Sequence, residues 1–201
     1  YAGIGSKKTP IEFKSIMKAL AEELAGKGYT LRSGAAKGAD TFFESGAGKK
    51  KEIFTSKDAD RITKIIAKEI HPIGQRLIER NGLSLHARNT KQVFGENLDT
   101  PVDFVLAWTP GGAKVGGTAQ AIRLAERKGI PVINLADPNW RSQLDKVLEK
   151  AEKAQTIKER LQGWTWRRGG NLFIDDFKYW IGGVRAIILK MPETTISKII
   201  D

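Results

Sequence analysis

Residues 102–135 constrain the fold of this chain most strongly, because a strand, a glycine loop, a helix and a second strand follow one another there. The continuous apolar run from Val102 to Trp108 is typical of a strand that is covered on both faces of a parallel sheet. After Thr118 the apolar positions follow helical spacing until a second strand near Ile130. Four glycines separate the first strand from the helix: Gly111, Gly112, Gly116 and Gly117. This segment is one βαβ unit.

The same succession occurs twice nearer the start of the chain. Residues 1–6 have the pattern of a strand that enters a glycine turn, after which Thr9 suits a helix N-cap and Pro10 the first helical position. The remaining predicted elements are a strand over 29–32, a small-residue loop over 33–40, a helix that begins within it and covers about 37–47, and a strand over 52–54. Together they predict an α/β fold, a Rossmann-like doubly wound parallel sheet with flanking helices and a small C-terminal appendage.

Parallel strands end at one edge of their sheet, so we expect the three glycine loops to converge there. Glycine lets backbone amides approach an anion, and the first turn of the following helix points unpaired N–H groups at it. One such loop alone is more typical of a plain strand-to-helix turn than of an anion site, whereas three on one edge favour a phosphate site. The predicted phosphate- or nucleotide-binding residues are Gly3, Gly5, Ser6, Lys7, Arg32, Ser33, Gly34, Gly38, Arg88, Asn89, Gly111, Gly112, Gly116, Gly117 and Thr118.

Several chemistries are excluded or disfavoured. No glycine loop closes in Gly-Lys-Ser/Thr, and no strand-associated GxGxxG precedes an acidic residue, so neither an NTPase nor a dinucleotide cofactor is indicated. The chain has no cysteine, and its two histidines, His71 and His86, are not spaced as metal ligands, which favours a packing or solvated role. We therefore predict no metal and no cofactor.

The net charge of +11 indicates a polyanionic partner, nucleic acid or nucleotide, although many basic domains are charged for solubility alone. Lysines near the loops would supply the attracting field: Lys7, Lys8, Lys37 and Lys114. No apolar run approaches the roughly 18 residues of a membrane span. We expect no membrane partner and a cytoplasmic location.

Asp40 and Glu44 are four residues apart, and hence on one face of a helix. The sequence leaves three roles open for them: an acid/base pair if the protein is an enzyme, a clamp for a ribose hydroxyl, or surface carboxylates paired with lysines. A helical insert over 56–96 contains three polar residues whose role the sequence also leaves open. They would either reach a base or phosphate, or cap or bridge the helices of the insert: Arg88, Asn89 and Gln92.

We predict two domains, 1–162 and 163–201. An amphipathic helix over 138–161 would cover the sheet or pair two subunits, so a homodimer is possible. The appendage suggests a hairpin with a turn at Gly169-Gly170-Asn171. Its first aromatic and basic residues would either stack on bases or form a small core: Trp164, Trp166, Arg167 and Arg168.

Five motifs in order resemble one known family: GIGSKKTP, LRSGAAKGADTFFESGA, HARNTKQVFG, TPVDFVLAWTP and GGTAQAIRLAERKGIPVINL. Over residues 1–136 the chain is similar to the Rossmann-like SLOG superfamily, in particular its phage and bacterial branch related to DNA-processing protein A. That superfamily includes single-stranded DNA binders that load a recombinase, LOG phosphoribohydrolases acting on nucleoside monophosphates, and sensors of nucleotide-derived signals. The resemblance implies ligand contacts from Gly5, Ser6, Ser33, Gly34, Gly38, Asp40, Gly116, Gly117 and Thr118.

Two departures from the family bear on activity. The LOG pattern requires a glutamate where this chain has Ala121, which disfavours hydrolysis by that mechanism. Lys7 stands where arginine is usual in the family. Lysine keeps the positive charge but lacks the guanidinium fork with which arginine binds a phosphate in a bidentate way. The leading hypothesis is therefore DprA-like binding of single-stranded nucleic acid or nucleotide phosphates at the glycine-loop edge. The alternatives are a nucleotide or nucleoside N-glycosidic hydrolase or transferase using Asp40 or Glu44, and a non-catalytic receptor for a nucleotide-derived signal.

Overall fold

The fold is built on a five-stranded parallel sheet. A computed structural model describes residues 1–71 and 82–168, with side chains as far as residue 155. The strands are β1 (Ala2–Gly5), β2 (Leu31–Ser33), β3 (Lys51–Ile53), β4 (Val105–Trp108) and β5 (Val132–Asn134). Their order across the sheet is β3-β2-β1-β4-β5, and every pairing is parallel. The direction of winding reverses between β1 and β4, as in a Rossmann-like fold.

Helices follow the strands in the alternation that the sequence predicts. They are α1 (Phe13–Gly26), α2 (Ala39–Ala47), α3 (Arg61–Ile70), α4 (Leu83–Phe94), α5 (Thr118–Arg127) and α6 (Trp140–Arg168), with 3-10 turns at Ser56–Asp58 and Pro110–Gly112. Helices α1 and α2 pack together, and α3, α4 and α5 form a second group, so helices flank the sheet. The predicted fold class is confirmed.

The core lies in the central strands and the helix faces against them. All four residues of β4 are buried, because the strand is covered on both faces. Gly3 of β1 belongs to this core, since a Cβ there would meet the side chains of Leu31 and Phe43 at 2.6 and 2.9 Å. Close packing between β1 and α2 therefore requires glycine at this position.

The start of α1 differs from the prediction. The helix begins at Phe13 after a turn, and the N-cap role predicted for Thr9 is wrong. The Thr9 hydroxyl instead donates to the Ser6 carbonyl at 2.7 Å, and the Thr9 amide donates to the same oxygen at 3.1 Å. Both donors of Thr9 thus close the loop after β1, which delays the helix.

Two further boundaries are corrected. The strand predicted from Val102 begins at Val105, since the Val102 amide is bonded to Val93 at the end of α4. Helix α6 continues to Arg168, so the predicted hairpin is wrong for residues 163–168. The side chains of Trp164, Trp166, Arg167 and Arg168 and the turn at 169–171 lie outside the described part of the chain.

The chain divides into two compact units, Tyr1–Val147 and Leu148–Asp201. The first holds the five strands and the start of α6, where Trp140 and Leu144 are buried. In the second, the described part is the continuation of α6 to Arg168. The boundary at 162 and the homodimer stay predictions. None of the helices in the described ranges combines the length and the apolar character that crossing a membrane requires.

Candidate phosphate-binding edge

The structure places the three glycine loops side by side. We call them loop 1 (6–12), loop 2 (34–38) and loop 3 (109–117); they follow β1, β2 and β4, which are neighbours in the sheet. The Ser6 amide donates to the Trp108 carbonyl at 3.0 Å, and the Gly5 amide donates to Asp40 Oδ1, after loop 2, at 3.2 Å. The three loops therefore share the carboxyl edge of the sheet, at the point where its winding reverses.

Glycine makes the contact between loops 1 and 2 possible. Gly38 has a φ of +86° and lies so close to loop 1 that a Cβ would meet the Ser6 carbonyl oxygen and, at 3.0 Å, the Lys7 Cα. A Cβ on Gly5 would meet Ala39 and, at 2.8 Å, the Trp108 carbonyl oxygen. Gly5 and Gly38 thus allow close approach of backbones, and Ser6 and Lys7 lie where these backbones meet.

Loop 3 is open by contrast. Its residues 110–117 are all exposed, and no atom lies within 4 Å of a Cβ built on Gly111, Gly112 or Gly116. The amides of Gly116 and Gly117 donate to no described residue, and α5 begins at Thr118 without a side-chain cap. Helix N-termini with unpaired amides attract anions, so loop 3 presents backbone donors with room for a ligand.

Two asparagines hold the ends of loop 3. Asn134 Nδ2 donates to the Thr109 hydroxyl at 2.7 Å, and Asn134 Oδ1 accepts from the Ala136 amide at 3.1 Å. At the other end, Asn89 Nδ2 donates to the Gly117 carbonyl at 3.0 Å. The sequence patterns did not indicate Asn134 as part of the site; the available signal was a polar residue at the end of the apolar run of β5.

The lysines of the edge differ in how they are neutralised. Lys7, Lys8 and Lys37 are exposed, and none forms an ion pair with a described residue. Lys114 in loop 3 pairs with Glu126 at 2.6 Å. The attracting field at this edge thus comes from loops 1 and 2, beside the open amides of loop 3.

Asp40 and Glu44 both hold loop backbone. Asp40 is 3% exposed; one of its oxygens accepts from the Gly5 amide, and the other lies 3.9 Å from the Arg88 guanidinium. Burial raises the pKa of Asp40 to about 6, although Arg88 opposes the shift. Glu44 Oε1 accepts from the Ala35 amide at 3.0 Å. These contacts give Asp40 and Glu44 a role that the sequence did not indicate, which is to support the backbone at the end of β1 and in loop 2.

Arg88 and Arg32 are also bound within the protein. Arg88 is buried and donates to the carbonyls of Gly34 and Phe54, so it bridges α4 to the sheet. Arg32 pairs with Glu52 at 2.7 Å and donates to Thr100, beside a cleft of about 380 Å³. The structure does not bring the Arg32 guanidinium to the glycine loops. Gln92 and Ser33 are buried, and neither the Gln92 Nε2 nor the Ser33 Oγ has a partner among the described residues.

The two histidines pack against each other beside loop 3. Their rings lie edge to face with centroids 4.5 Å apart, and a Cβ on Gly117 would be 4.0 Å from His86 Cε1. Burial, reinforced by His71 and two arginines, lowers the pKa of His86 to about 4. His86 is therefore neutral near pH 7.

No protein-family model matches the chain, and no curated protein matches it. Among solved structures, it is similar to DNA processing protein A from Helicobacter pylori, which was described for its unique single-stranded DNA binding mode. The identity is 20%, the TM-score is 0.45, and the alignment covers 81% of this chain and 80% of that one. A likeness at this level does not establish the function of this chain. The fold class stated above follows from the strand order of the chain itself.

Proposed function

We propose that the protein binds single-stranded nucleic acid through its phosphates, along the edge formed by loops 1, 2 and 3. The observation that carries this proposal is the combination of exposed lysines that form no ion pair with a described residue, Lys7, Lys8 and Lys37, with the open amides of loop 3. Lysines give attraction without sequence preference, and backbone amides at a helix N-terminus donate hydrogen bonds to a phosphate that lies close to them.

The width of the edge favours a polymer over a single nucleotide. Neighbouring strands are about 4.8 Å apart, so loops 2 and 3, which follow strands two positions apart, are separated by roughly 10 Å. A ligand that uses the lysines of loops 1 and 2 and the amides of loop 3 together needs more than one phosphate. The SLOG-like motifs also fall at this edge, which supports our further proposal that the chain belongs to the DNA-processing branch of that superfamily.

Fluorescence anisotropy with a labelled oligothymidylate, titrated over a salt series, tests the proposal. We expect the logarithm of the binding constant to fall linearly with the logarithm of salt concentration, at about 0.7 per phosphate contacted. A mononucleotide should compete weakly, because it satisfies only part of the edge. A binding constant that does not change with salt concentration would contradict binding through phosphates.

One observation favours a second candidate, the N-glycosidic hydrolase or transferase. Asp40 has a pKa raised to about 6, which suits a general acid or base near neutral pH. Incubation of a nucleotide panel, followed by chromatography for released base, tests this activity, and Asp40→Asn should abolish it. Tight, weakly salt-dependent binding of a mononucleotide without turnover would instead favour the receptor for a nucleotide-derived signal.

A further inference from the structure

We infer that Arg88 is a positioning residue for the phosphate-binding edge: it holds loop 2 in place from helix α4 and does not itself contact the phosphate. This inference rests on the proposed function and adds to it. It assigns the insert over 56–96 a part in shaping the edge, and it sets aside direct contact with a phosphate, one of the roles that the sequence left open for Arg88.

The contacts of the Arg88 guanidinium carry the first step. Arg88 is 8% exposed, and its Nη1 donates to the carbonyl oxygens of Gly34 and, at 3.1 Å, Phe54. Gly34 directly follows β2 and Phe54 directly follows β3, so one side chain ties together the ends of two neighbouring strands. A buried guanidinium that already serves two carbonyls is poorly placed to serve a phosphate at the surface.

The second step extends this hold to loop 1. Arg88 Nη2 lies 3.9 Å from Asp40 Oδ2, and Asp40 Oδ1 accepts from the Gly5 amide at the end of β1. A chain of contacts thus runs from α4 through α2 to the start of loop 1. Loss of the guanidinium would leave the Asp40 carboxylate buried without its cationic partner.

Loop 2 needs such support because its backbone is strained. Ala35 has a φ of +53°, in the left-handed region that residues with a Cβ rarely adopt. A conformation of this kind persists when the surroundings hold it. The Ala35 amide is held by Glu44 at 3.0 Å, and the preceding carbonyl, that of Gly34, is held by Arg88.

Gly34 and Arg88 fit each other sterically. A Cβ on Gly34 would overlap the Arg88 guanidinium, whereas the φ of Gly34 is not in the left-handed region. Glycine at 34 therefore makes room for the arginine. Gly34→Ala consequently offers a way to displace the guanidinium that leaves every charge of the protein in place.

Salt dependence separates positioning from direct contact. Oligothymidylate affinity is measured over a salt series for Arg88→Met, Gly34→Ala and Lys7→Gln, with thermal melting and hydrogen exchange of the loop 2 amides in the free proteins. We expect Arg88→Met and Gly34→Ala to weaken binding severalfold with the wild-type salt slope, because neither removes a phosphate contact, and to speed exchange of the loop 2 amides. Lys7→Gln should lower the slope by about 0.7, as loss of one phosphate contact requires.

A double variant keeps the test decisive if one change simply unfolds the protein. Gly34→Ala combined with Arg88→Met should bind like Arg88→Met alone, because the added Cβ then occupies space that the guanidinium has left. A slope lowered by about 0.7 in Arg88→Met would make Arg88 a phosphate ligand and overturn the inference, and so would unchanged loop 2 exchange in both Arg88→Met and Gly34→Ala. If the wild-type protein binds no oligonucleotide, the proposed function is wrong. Hydrogen exchange of the loop 2 amides would still show whether Arg88 holds loop 2 in place.

Discussion

Asp40 is a carboxyl group whose ionisation the fold opposes. Burial raises its pKa from 3.8 to about 6, more than Arg88 and the amides of Ala36 and Gly5 offset. The native state therefore binds the Asp40 proton more tightly than the unfolded state. The resulting stabilisation is complete below the unfolded pKa, near 4, and is lost as pH rises through about 6.

Asp40→Asn removes this titration and leaves a side chain of the same size. The quantity to compare is the free energy of unfolding of the wild type minus that of Asp40→Asn. We expect this difference to fall by up to about 3 kcal/mol between pH 4 and pH 7, since each pKa unit corresponds to about 1.4 kcal/mol. Urea denaturation at a series of pH values measures it. Asp58→Asn is the control, since hydrogen bonds from Thr55 lower the pKa of half-buried Asp58 and shift its effect to more acid pH. A difference that stays flat for Asp40 contradicts the assignment.

Among the elements of the edge, loop 3 combines an open middle with fixed ends, and Asn134 of β5 holds its first end. Asn134→Ala leaves the Thr109 hydroxyl without its donor, so we expect a loss of about 1–3 kcal/mol in stability. Loop 3 amides should also exchange faster, and oligonucleotide affinity should fall, as hydrogen exchange and anisotropy would measure.

The matched control for Asn134→Ala is Val132→Ala in the same strand. Val132 lies at the opposite end of β5 from loop 3, and its truncation removes apolar contacts alone. It should lower stability by about 1 kcal/mol and leave oligonucleotide affinity unchanged. Equal affinity losses in the two variants would mean that Asn134 acts through general stability.

The sequence predicted what depends on local pattern and missed what depends on distant contacts. Apolar runs, glycines and helical spacing are local, and they predicted the alternation of strands and helices and the loops at one edge. The bond between Thr109 and Asn134 spans 25 residues, and that between Gly34 and Arg88 spans 54. No spacing rule reveals such pairs. The N-cap prediction for Thr9 was wrong for a different reason. The Thr9 hydroxyl donates to the Ser6 carbonyl only three residues away, and the local pattern did not distinguish this bond from one to the start of a helix.

For the molecule as a whole, the net charge of +11 does not say where an anion binds. Lysines also lie at the opposite, amino edge of the sheet, where Lys27 precedes β2 and Lys49 and Lys50 precede β3. A diffuse positive field speeds association from either edge. Lysines that contact phosphates additionally release counterions, so their removal changes the salt slope.

Two triple variants with the same change in net charge separate these effects. Replacement of Lys7, Lys8 and Lys37 by glutamine should lower the salt slope of oligothymidylate binding by about 2 and strongly weaken binding at low salt. Replacement of Lys27, Lys49 and Lys50 should leave the slope near that of the wild type. Anisotropy titrations between about 50 and 200 mM salt compare them. If both triples lower the slope equally, affinity follows net charge, and the glycine-loop edge is not where the phosphates lie.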